Sequence, residues 1–240
     1  MPVTKLRPID ATTLQERAYR QLKSALMRGA FRPGEPVTLR GLAEALGTSV
    51  MPIRDAVRRL VSERALEMPS SRSVRVPPLS LTDFDNLVHL RLLLEGEAAA
   101  LAARKLSTRD LAKIEQLHLE VIDEYSTGRI TKFIEANQQL HFAIYAGSEN
   151  PLLLSIIETL WLQGGPYLTL VVEHFAEVHA QRADMEFMEH QRIVDALKSH
   201  DPESARKAIQ DDITSAAEQY RRRIAQAMSS SDDSKKIRRR

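Results

Sequence analysis

The sequence predicts a mainly α-helical protein, in which an N-terminal winged helix-turn-helix is followed by an all-helical bundle of about six helices. Three observations carry this prediction. A glycine turn joins two short amphipathic helices, two short apolar segments flank a polar turn, and patterns with the 3.6-residue helical period dominate after residue 80. The boundaries that follow are 1–78 for the winged domain, 79–228 for the helical domain, and 229–240 for a disordered basic tail.

The composition is that of an ordinary globular protein and excludes several classes of site. Of the 240 residues, 43% are hydrophobic and 28% are charged, which is enough apolar material for a buried core. No apolar run is long enough to span a membrane, and the N-terminus lacks an apolar signal region, so we expect a cytoplasmic location with no membrane partner. The absence of cysteine excludes disulfides, thiolate metal sites and cysteine nucleophiles.

The charge is distributed unevenly along the chain. Residues 1–80 hold 14 Lys and Arg against 7 Asp and Glu, whereas residues 81–228 hold 15 against 23. A basic first third followed by an acidic remainder suggests that the first third meets a polyanion such as DNA.

The winged domain is predicted element by element. A first helix carries an apolar stripe from Leu14 to Leu26 and stops at Gly29, and a Pro-Gly turn follows at 33–34. The next two helices lie on either side of Gly47, and Thr48 and Ser49 can cap the second of them. That helix is apolar on one face and basic on the other, which is typical of the DNA-reading helix of a helix-turn-helix. The basic face carries Arg54, Arg58 and Arg59.

A β-hairpin completes the winged domain. Apolar segments at 65–68 and 74–76 flank a polar turn, which places Arg72 at the tip of a wing, where it can meet a phosphate or a minor groove. Six helices are then expected, the first capped by Ser80 or Thr82. They run from Leu81 to about Leu106, Thr108 to Ser126, Ile130 to Ala146, Pro151 to about Leu162, Ala183 to Ser199, and Pro202 to Met228. The pattern leaves open whether the fourth helix continues through 164–166.

Polar side chains recur on the predicted inner faces of three of these helices. Asn137 and His141 lie one turn apart on the third helix, His190 belongs to the apolar stripe of the fifth, and Asp212 to that of the sixth. An unpaired buried carboxylate is costly, so the four residues either bond to each other in a metal-free polar pocket or hold a cation. Histidines with a carboxylate suit Zn, Ni or Mn.

Across residues 14–228 the chain resembles transcriptional regulators of the GntR family, FadR subfamily, which carry an FCD effector domain. The N-terminal resemblance lies in the Pro-Gly-Glu at 33–35, the LAEALG at 42–47, and the Ser, Pro, Arg and Ala spaced through 49–56. The C-terminal resemblance lies in four further motifs. These are Arg91 with Glu95, Asn137 with His141, Asn-Pro-Leu at 150–152, and Glu-His with Ile193.

The resemblance implies a homodimer that binds a two-fold-symmetric DNA operator and senses a small molecule, commonly a carboxylate, in a domain that often holds a divalent metal. The DNA-binding positions carried over are Arg40, Thr48, Ser49, Arg54 and Arg72, and Arg91 matches the arginine that faces the effector. Five positions depart from the family pattern. Val50 and Met51 replace two polar residues, and Ser73 replaces the wing glycine. Asn137 stands where the family usually has the aspartate of its metal set, and Asp212 stands where the family usually has the last histidine.

We therefore expect a ligand-responsive repressor rather than an enzyme. Two other functions remain as alternatives at this point. One is a metal-dependent hydrolase that uses His141, His190 and Asp212 with a bound water. The other is a protein that binds DNA without sequence specificity.

Overall fold

The structure, a computed structural model, describes residues 14–70, 73–173 and 185–237. Within these ranges the chain forms nine helices and one three-stranded sheet. The helices are α1 (Leu14–Met27), α2 (Leu39–Ala45), α3 (Val50–Ser62), α4 (Leu81–Lys105), α5 (Thr108–Ser126), α6 (Ile130–Ala146), α7 (Pro151–Glu173), α8 (Met185–Lys198) and α9 (Pro202–Ile237). The strands are β1 (Pro36–Val37), β2 (Glu67–Ser70) and β3 (Ser73–Arg75). The predicted architecture, a winged helix-turn-helix followed by a helical domain, is confirmed.

The winged domain, called the head from here on, consists of α1 to α3 and the small sheet. Gly47 takes a left-handed conformation with φ of 59°, which lets the chain turn sharply from α2 into α3. The inner stripe of α3 is almost completely buried and packs on α1. Its members are Ile53, Ala56, Val57 and Leu60. The strand order is β1-β3-β2 with antiparallel pairing.

One detail of the head differs from the sequence prediction, and another is not tested. Pro36 and Val37 form a strand that pairs with β3, although the local pattern indicates only a turn. A two-residue strand has no period of its own, so its partner defines it. The wing residue Arg72 lies outside the described residues.

The helical domain is built around α4, which packs along α9. The close approach is possible because α4 turns a row of alanines inward, and all of them are at most 1% exposed. The row contains Ala98, Ala99, Ala102 and Ala103. Ser80 caps α4 by accepting from the backbone of Asp83, and Ser107 forms a capping box with Asp110 at the start of α5.

Two helices run further than the shorter bounds given from the sequence. Helix α7 continues through Gly164, Gly165 and Pro166 to Glu173, which is the continuation that the sequence left open. Helix α9 runs to Ile237, beyond the boundary at residue 228 that the sequence predicts for the helical domain. No proline or glycine follows Met228, so no breaker ends that helix. None of the described helices is long and apolar enough to cross a membrane.

The head docks on the helical domain through α7. Leu162 of α7 is fully buried within the core of the head, and Trp161 packs against the cores of both domains. The Gln163 amide donates to the Glu63 carbonyl at 3.0 Å. Ion pairs join Lys23 to Glu158 at 2.8 Å and Arg28 to Glu135 at 3.3 Å. One helix is therefore shared between the two domains.

Candidate DNA interface and sensor cavity

The helix-turn-helix presents an exposed polar surface around the N-terminus of α3. Arg40, Ser49 and Arg54 are exposed and Thr48 is half-buried. Ser49 occupies the N-cap position of α3, but its side chain makes no capping hydrogen bond. Within the described ranges, no side chain pairs with the guanidinium groups of Arg40 or Arg54. These groups are available to an external anion.

Arg59 differs from Arg54, although the sequence pattern assigns both to the same solvent face. Its guanidinium lies 3.6 Å from the ring centroid of Tyr19 and is 3.2 Å from carboxylate oxygens of both Glu16 and Glu63. Arg59 therefore ties α3 to α1. The sequence pattern of α3 could not reveal this role, because two of the partners, Glu16 and Tyr19, lie about forty residues earlier in the chain.

A cavity of 140 Å³ lies inside the helical domain, between α4, α6, α7, α8 and α9. Arg91 and all four polar residues singled out from the sequence line it: Asn137, His141, His190 and Asp212. One residue of the head, Met27 at the end of α1, also contributes to the wall. The Gln138 amide, on α6, contacts the Met27 sulfur at 3.6 Å.

Three of the polar residues bring their donor atoms together. The Nε2 atom of His141 lies 3.6 Å from Oδ2 of Asp212, and the Nε2 atom of His190 lies 3.4 Å from Oδ1 of the same carboxylate. Both distances are longer than an N–H···O hydrogen bond. They match the separation of about 3.4 Å expected for two ligands of one tetrahedral ion with bonds of 2.0–2.2 Å. The donor set of His141, His190 and Asp212 therefore fits a divalent cation.

A buried hydrogen-bond chain determines which nitrogen of His141 carries its proton. The Tyr145 hydroxyl donates its only hydrogen to Oε2 of Glu95 at 2.6 Å, so its oxygen can only accept from Nδ1 of His141 at 3.0 Å. Nδ1 is therefore protonated, and the lone pair of Nε2 points toward Asp212. Burial also lowers the pKa of His141 to about 4, so this ring is neutral at pH 7.

The buried hydrogen-bond chain ends at Arg91. The Arg91 guanidinium binds Glu95 through contacts of 2.6 and 3.3 Å and lies 5.0 Å from the Trp161 ring centroid. Burial disfavours the charged guanidinium, but the Glu95 carboxylate outweighs it and raises the pKa of Arg91. The Asp212 carboxyl is also buried, yet His190, His141 and Arg91 hold its pKa below the usual range. Asp212 is therefore an anion at neutral pH.

Asn137 lies one turn before His141 on α6. Its Oδ1 atom is buried and has no hydrogen-bond partner among the described residues. An amide oxygen left without a donor in a closed site is available to a ligand or to an ion.

Sequence reasoning missed Glu95 and Tyr145 as parts of this site. Glu95 is fully buried and lies one turn from Arg91, so the spacing of the two residues was an available signal for the ion pair. Tyr145 likewise lies one turn from His141. An aromatic residue on the inner face of a helix is typical of the hydrophobic core, so its position gave no signal of a functional role.

A winged helix-turn-helix head joined to a helical domain with a polar internal cavity defines a ligand-sensing DNA-binding regulator. Residues 14–76 match the gntR family of bacterial regulatory proteins, and residues 86–215 match the FCD domain. The chain therefore belongs to the GntR family, carries an FCD effector domain, and is a DNA-binding transcriptional regulator.

Individual relatives agree with this assignment. The chain is 31% identical over 227 residues to the HTH-type transcriptional regulator McbR of Escherichia coli K12, covering 92% of this chain and 100% of McbR. A solved structure of E. coli McbR/YncC superposes with a TM-score of 0.81 at 30% identity, covering 88% of this chain and 98% of the other. A putative GntR regulator from Rhodococcus sp. RHA1 shares the fold with a TM-score of 0.69 at 19% identity, covering 87% and 98%.

Proposed function

We propose that this protein is a cytoplasmic repressor of the FadR subfamily, which binds a two-fold-symmetric operator as a homodimer and responds to a small carboxylate effector. The observation that carries the proposal is the double role of α7. Its Trp161 lines the internal cavity and also packs against the core of the head. Occupancy of the cavity by an effector can therefore bias the position of the head relative to the head of the second copy in the homodimer.

Two relatives support repression rather than activation. The chain is 30% identical over 148 residues to the transcriptional repressor GlaR of E. coli, covering 60% of this chain and 67% of GlaR. It is 28% identical over 202 residues to a probable D-xylose utilization operon repressor of Paenarthrobacter nicotinovorans, covering 84% and 86%.

We assign operator binding to Arg40, Thr48, Ser49 and Arg54, together with the wing residue Arg72. The N-terminal residues of α3 enter the major groove, where an arginine side chain can bind the edge of a guanine with two hydrogen bonds. Met51 is 64% exposed at the start of this helix. Its apolar side chain suits contact with a thymine methyl group in place of a polar base contact.

Dimerisation is supported by apolar side chains left exposed on two helices that pack on each other. Leu90 and Leu93 on α4 are 44% and 53% exposed, and Leu152 and Ile156 on α7 are 70% and 42% exposed. Side chains of this kind favour burial against a second copy of the chain.

We assign a divalent cation, Zn, Ni or Mn, to His141, His190 and Asp212, with Asn137 beside it. The carboxylate and the two imidazoles are ligands that these ions accept. When bound, the ion supplies a positive charge and an open coordination position for an acid. Tyr145 and Glu95 orient His141, and the guanidinium of Arg91 is placed to bind the same acid.

The function is tested by footprinting the purified protein on DNA upstream of its own gene and of neighbouring genes. We expect one discrete protected site with two-fold symmetry, an affinity that falls with salt, and a dimer mass under native conditions. Uniform protection without a discrete site would instead favour non-specific DNA binding. Chelator-sensitive turnover of an ester or amide would favour the hydrolase.

Tyr145→Phe is expected to weaken Zn²⁺ binding by about 10- to 100-fold, because the Nδ1 proton of His141 loses its acceptor and the ring is no longer oriented. The measurement is competition with a chromophoric chelator. Tyr167→Phe is the matched control, since it removes a hydroxyl from the same cavity that bonds only the Ser80 carbonyl. Equal Zn²⁺ affinities for the two variants would contradict the orienting role of Tyr145.

A further inference from the structure

The internal cavity is polar at one end and aromatic at the other. Two of the helices that line it change from aromatic to charged side chains over seven to eight residues. Helix α4 passes from Phe84 to Arg91 and α9 from Tyr220 to Asp212, whereas α7 carries an aromatic ring at both ends, Tyr167 and Trp161. At a rise of 1.5 Å per residue, the two ends are roughly 10 Å apart.

Direct contacts establish that the residues at each end belong together. The ring of Phe84 lies 5.0 Å from that of Tyr167 and 5.9 Å from that of Tyr220. At the other end, Trp161 lies 5.4 Å from the His141 ring and 5.0 Å from the Arg91 guanidinium.

The aromatic end presents mainly apolar surface, with the hydroxyls of Tyr167 and Tyr220 among its rings. The Tyr167 hydroxyl already donates to the Ser80 carbonyl at 3.3 Å. Leu87, Val88, Ala216 and Ala217 contribute only apolar surface, and Gln219 lines this end as a partly exposed side chain. A ligand hydroxyl that is buried here without a partner would lower affinity by roughly 5- to 150-fold.

The volume limits the size of the ligand. The cavity measures 140 Å³, and an apolar cavity of about 150 Å³ accommodates benzene. The volume therefore limits the effector to one six-membered ring at most, and its acid group has to lie within the cluster of Arg91 and the histidines.

We propose that the effector is a monocarboxylate whose remaining part is apolar and about the size of one six-membered ring, with the acid at the Arg91 and His141 end and the ring against Phe84, Tyr167 and Tyr220. This inference rests on the proposed function of the cavity as a carboxylate sensor. It excludes polyhydroxylated acids and dicarboxylates, which would bury polar groups among the aromatic rings.

The test uses the fluorescence of Trp161, the only tryptophan of the chain and part of the cavity wall. Phenylacetate, phenylacetamide, gluconate and succinate are titrated into the full-length protein with Zn²⁺ present, and operator affinity is followed by fluorescence anisotropy. We expect phenylacetate to bind at least tenfold tighter than each of the other three and to change operator affinity.

The outcomes separate this inference from the proposed function. Tighter binding of gluconate or succinate, with a change in operator affinity, would overturn the apolar-acid inference and retain the carboxylate sensor. If phenylacetamide bound as tightly as phenylacetate, the cavity would not recognise an acid. If none of the four bound at millimolar concentration, both ideas would fail.

A variant tests the position of the ring. Phe84→Ala opens the aromatic end, so we expect phenylacetate to bind about tenfold weaker and the larger 1-naphthylacetate to bind better than it does to the unaltered protein. His89→Ala, an exposed position on the same helix, is the control and should leave both affinities unchanged. No gain for 1-naphthylacetate would place the ring elsewhere. If Phe84→Ala does not fold, the ranking of the four ligands still decides.

Discussion

Gly165→Ala is expected to lower the free energy of unfolding by about 3 kcal/mol or more and to separate the head from α7. An added Cβ would lie 2.0 Å from the Leu26 carbonyl oxygen, 2.7 Å from its carbon and 3.1 Å from the Met27 Cα. All three are backbone atoms, so no side-chain rotation can relieve the clash, and α1 must move. Overpacking of a core usually costs about 1–3 kcal/mol, and a backbone clash belongs at the upper end or beyond.

Gly164→Ala is the matched control for this substitution. Its Cβ would meet only the Leu87 Cδ2 at 3.6 Å, which is an ordinary contact. Both variants replace a helical glycine by alanine, so any intrinsic gain in helix propensity cancels in the comparison. Thermal unfolding should give a Tm about 6–12 °C lower for Gly165→Ala than for Gly164→Ala. Equal Tm values would mean that α1 does not pack on α7 as described.

The same pair tests how the cavity communicates with DNA. Met27 belongs both to the end of α1 that Gly165 contacts and to the cavity wall. If Gly165→Ala retains operator binding, the effector should change its operator affinity much less than that of the unaltered protein. Gly164→Ala adds a methyl group to the cavity wall without touching α1, so it should keep the operator affinity of the unaltered protein in the absence of effector.

Arg54→Ala is expected to weaken operator binding by about 1–3 kcal/mol for each half-site, which is about 5- to 150-fold per contact. The reason is that Arg54 is exposed near the N-terminus of α3 and is not engaged by any side chain in the described part of the chain. A groove contact of this kind discriminates between bases, so the variant should also tolerate base changes at the position that it reads. The measurement is anisotropy with the footprinted operator and with single-base variants.

Arg222→Ala controls for the loss of charge. The Arg222 side chain is 68% exposed on α9, and its guanidinium forms a loose ion pair with Glu218 at 3.9 Å. Its replacement therefore removes one positive charge, as Arg54→Ala does, but outside the head. The operator affinity of Arg222→Ala should stay within about twofold of that of the unaltered protein. Unchanged affinity for Arg54→Ala would show that α3 is not the reading helix.

The head could be read from the sequence because its defining features are local. Gly47 between two short amphipathic stripes determines a turn whatever surrounds it, and the exposure of Arg54 follows from its place opposite a stripe with helical period. By the same logic the inward positions of His141, His190 and Asp212 could be expected from one helix at a time. Their distances from one another could not, because they lie on three helices.

The sequence left questions open where a distant partner decides the outcome. Gly164, Gly165 and Pro166 did not settle where the helix ends, and in the structure they are the part of α7 that lies against α1. The closeness of that contact requires a residue without a side chain at Gly165. Arg59 lies on the solvent face as predicted, but its contacts with Tyr19 and Glu63 could not be expected from the pattern of α3.

By itself, then, the sequence determined the order of the two domains, the basic exposed face of α3 and the set of inward polar residues, because the period of a helix encodes which face is buried. Only the tertiary structure decided that Tyr145 and Glu95 orient His141, that α7 is shared by both domains, and that the cavity is aromatic at one end. Each of these depends on side chains far apart in the chain, and their distances are determined by packing rather than by spacing.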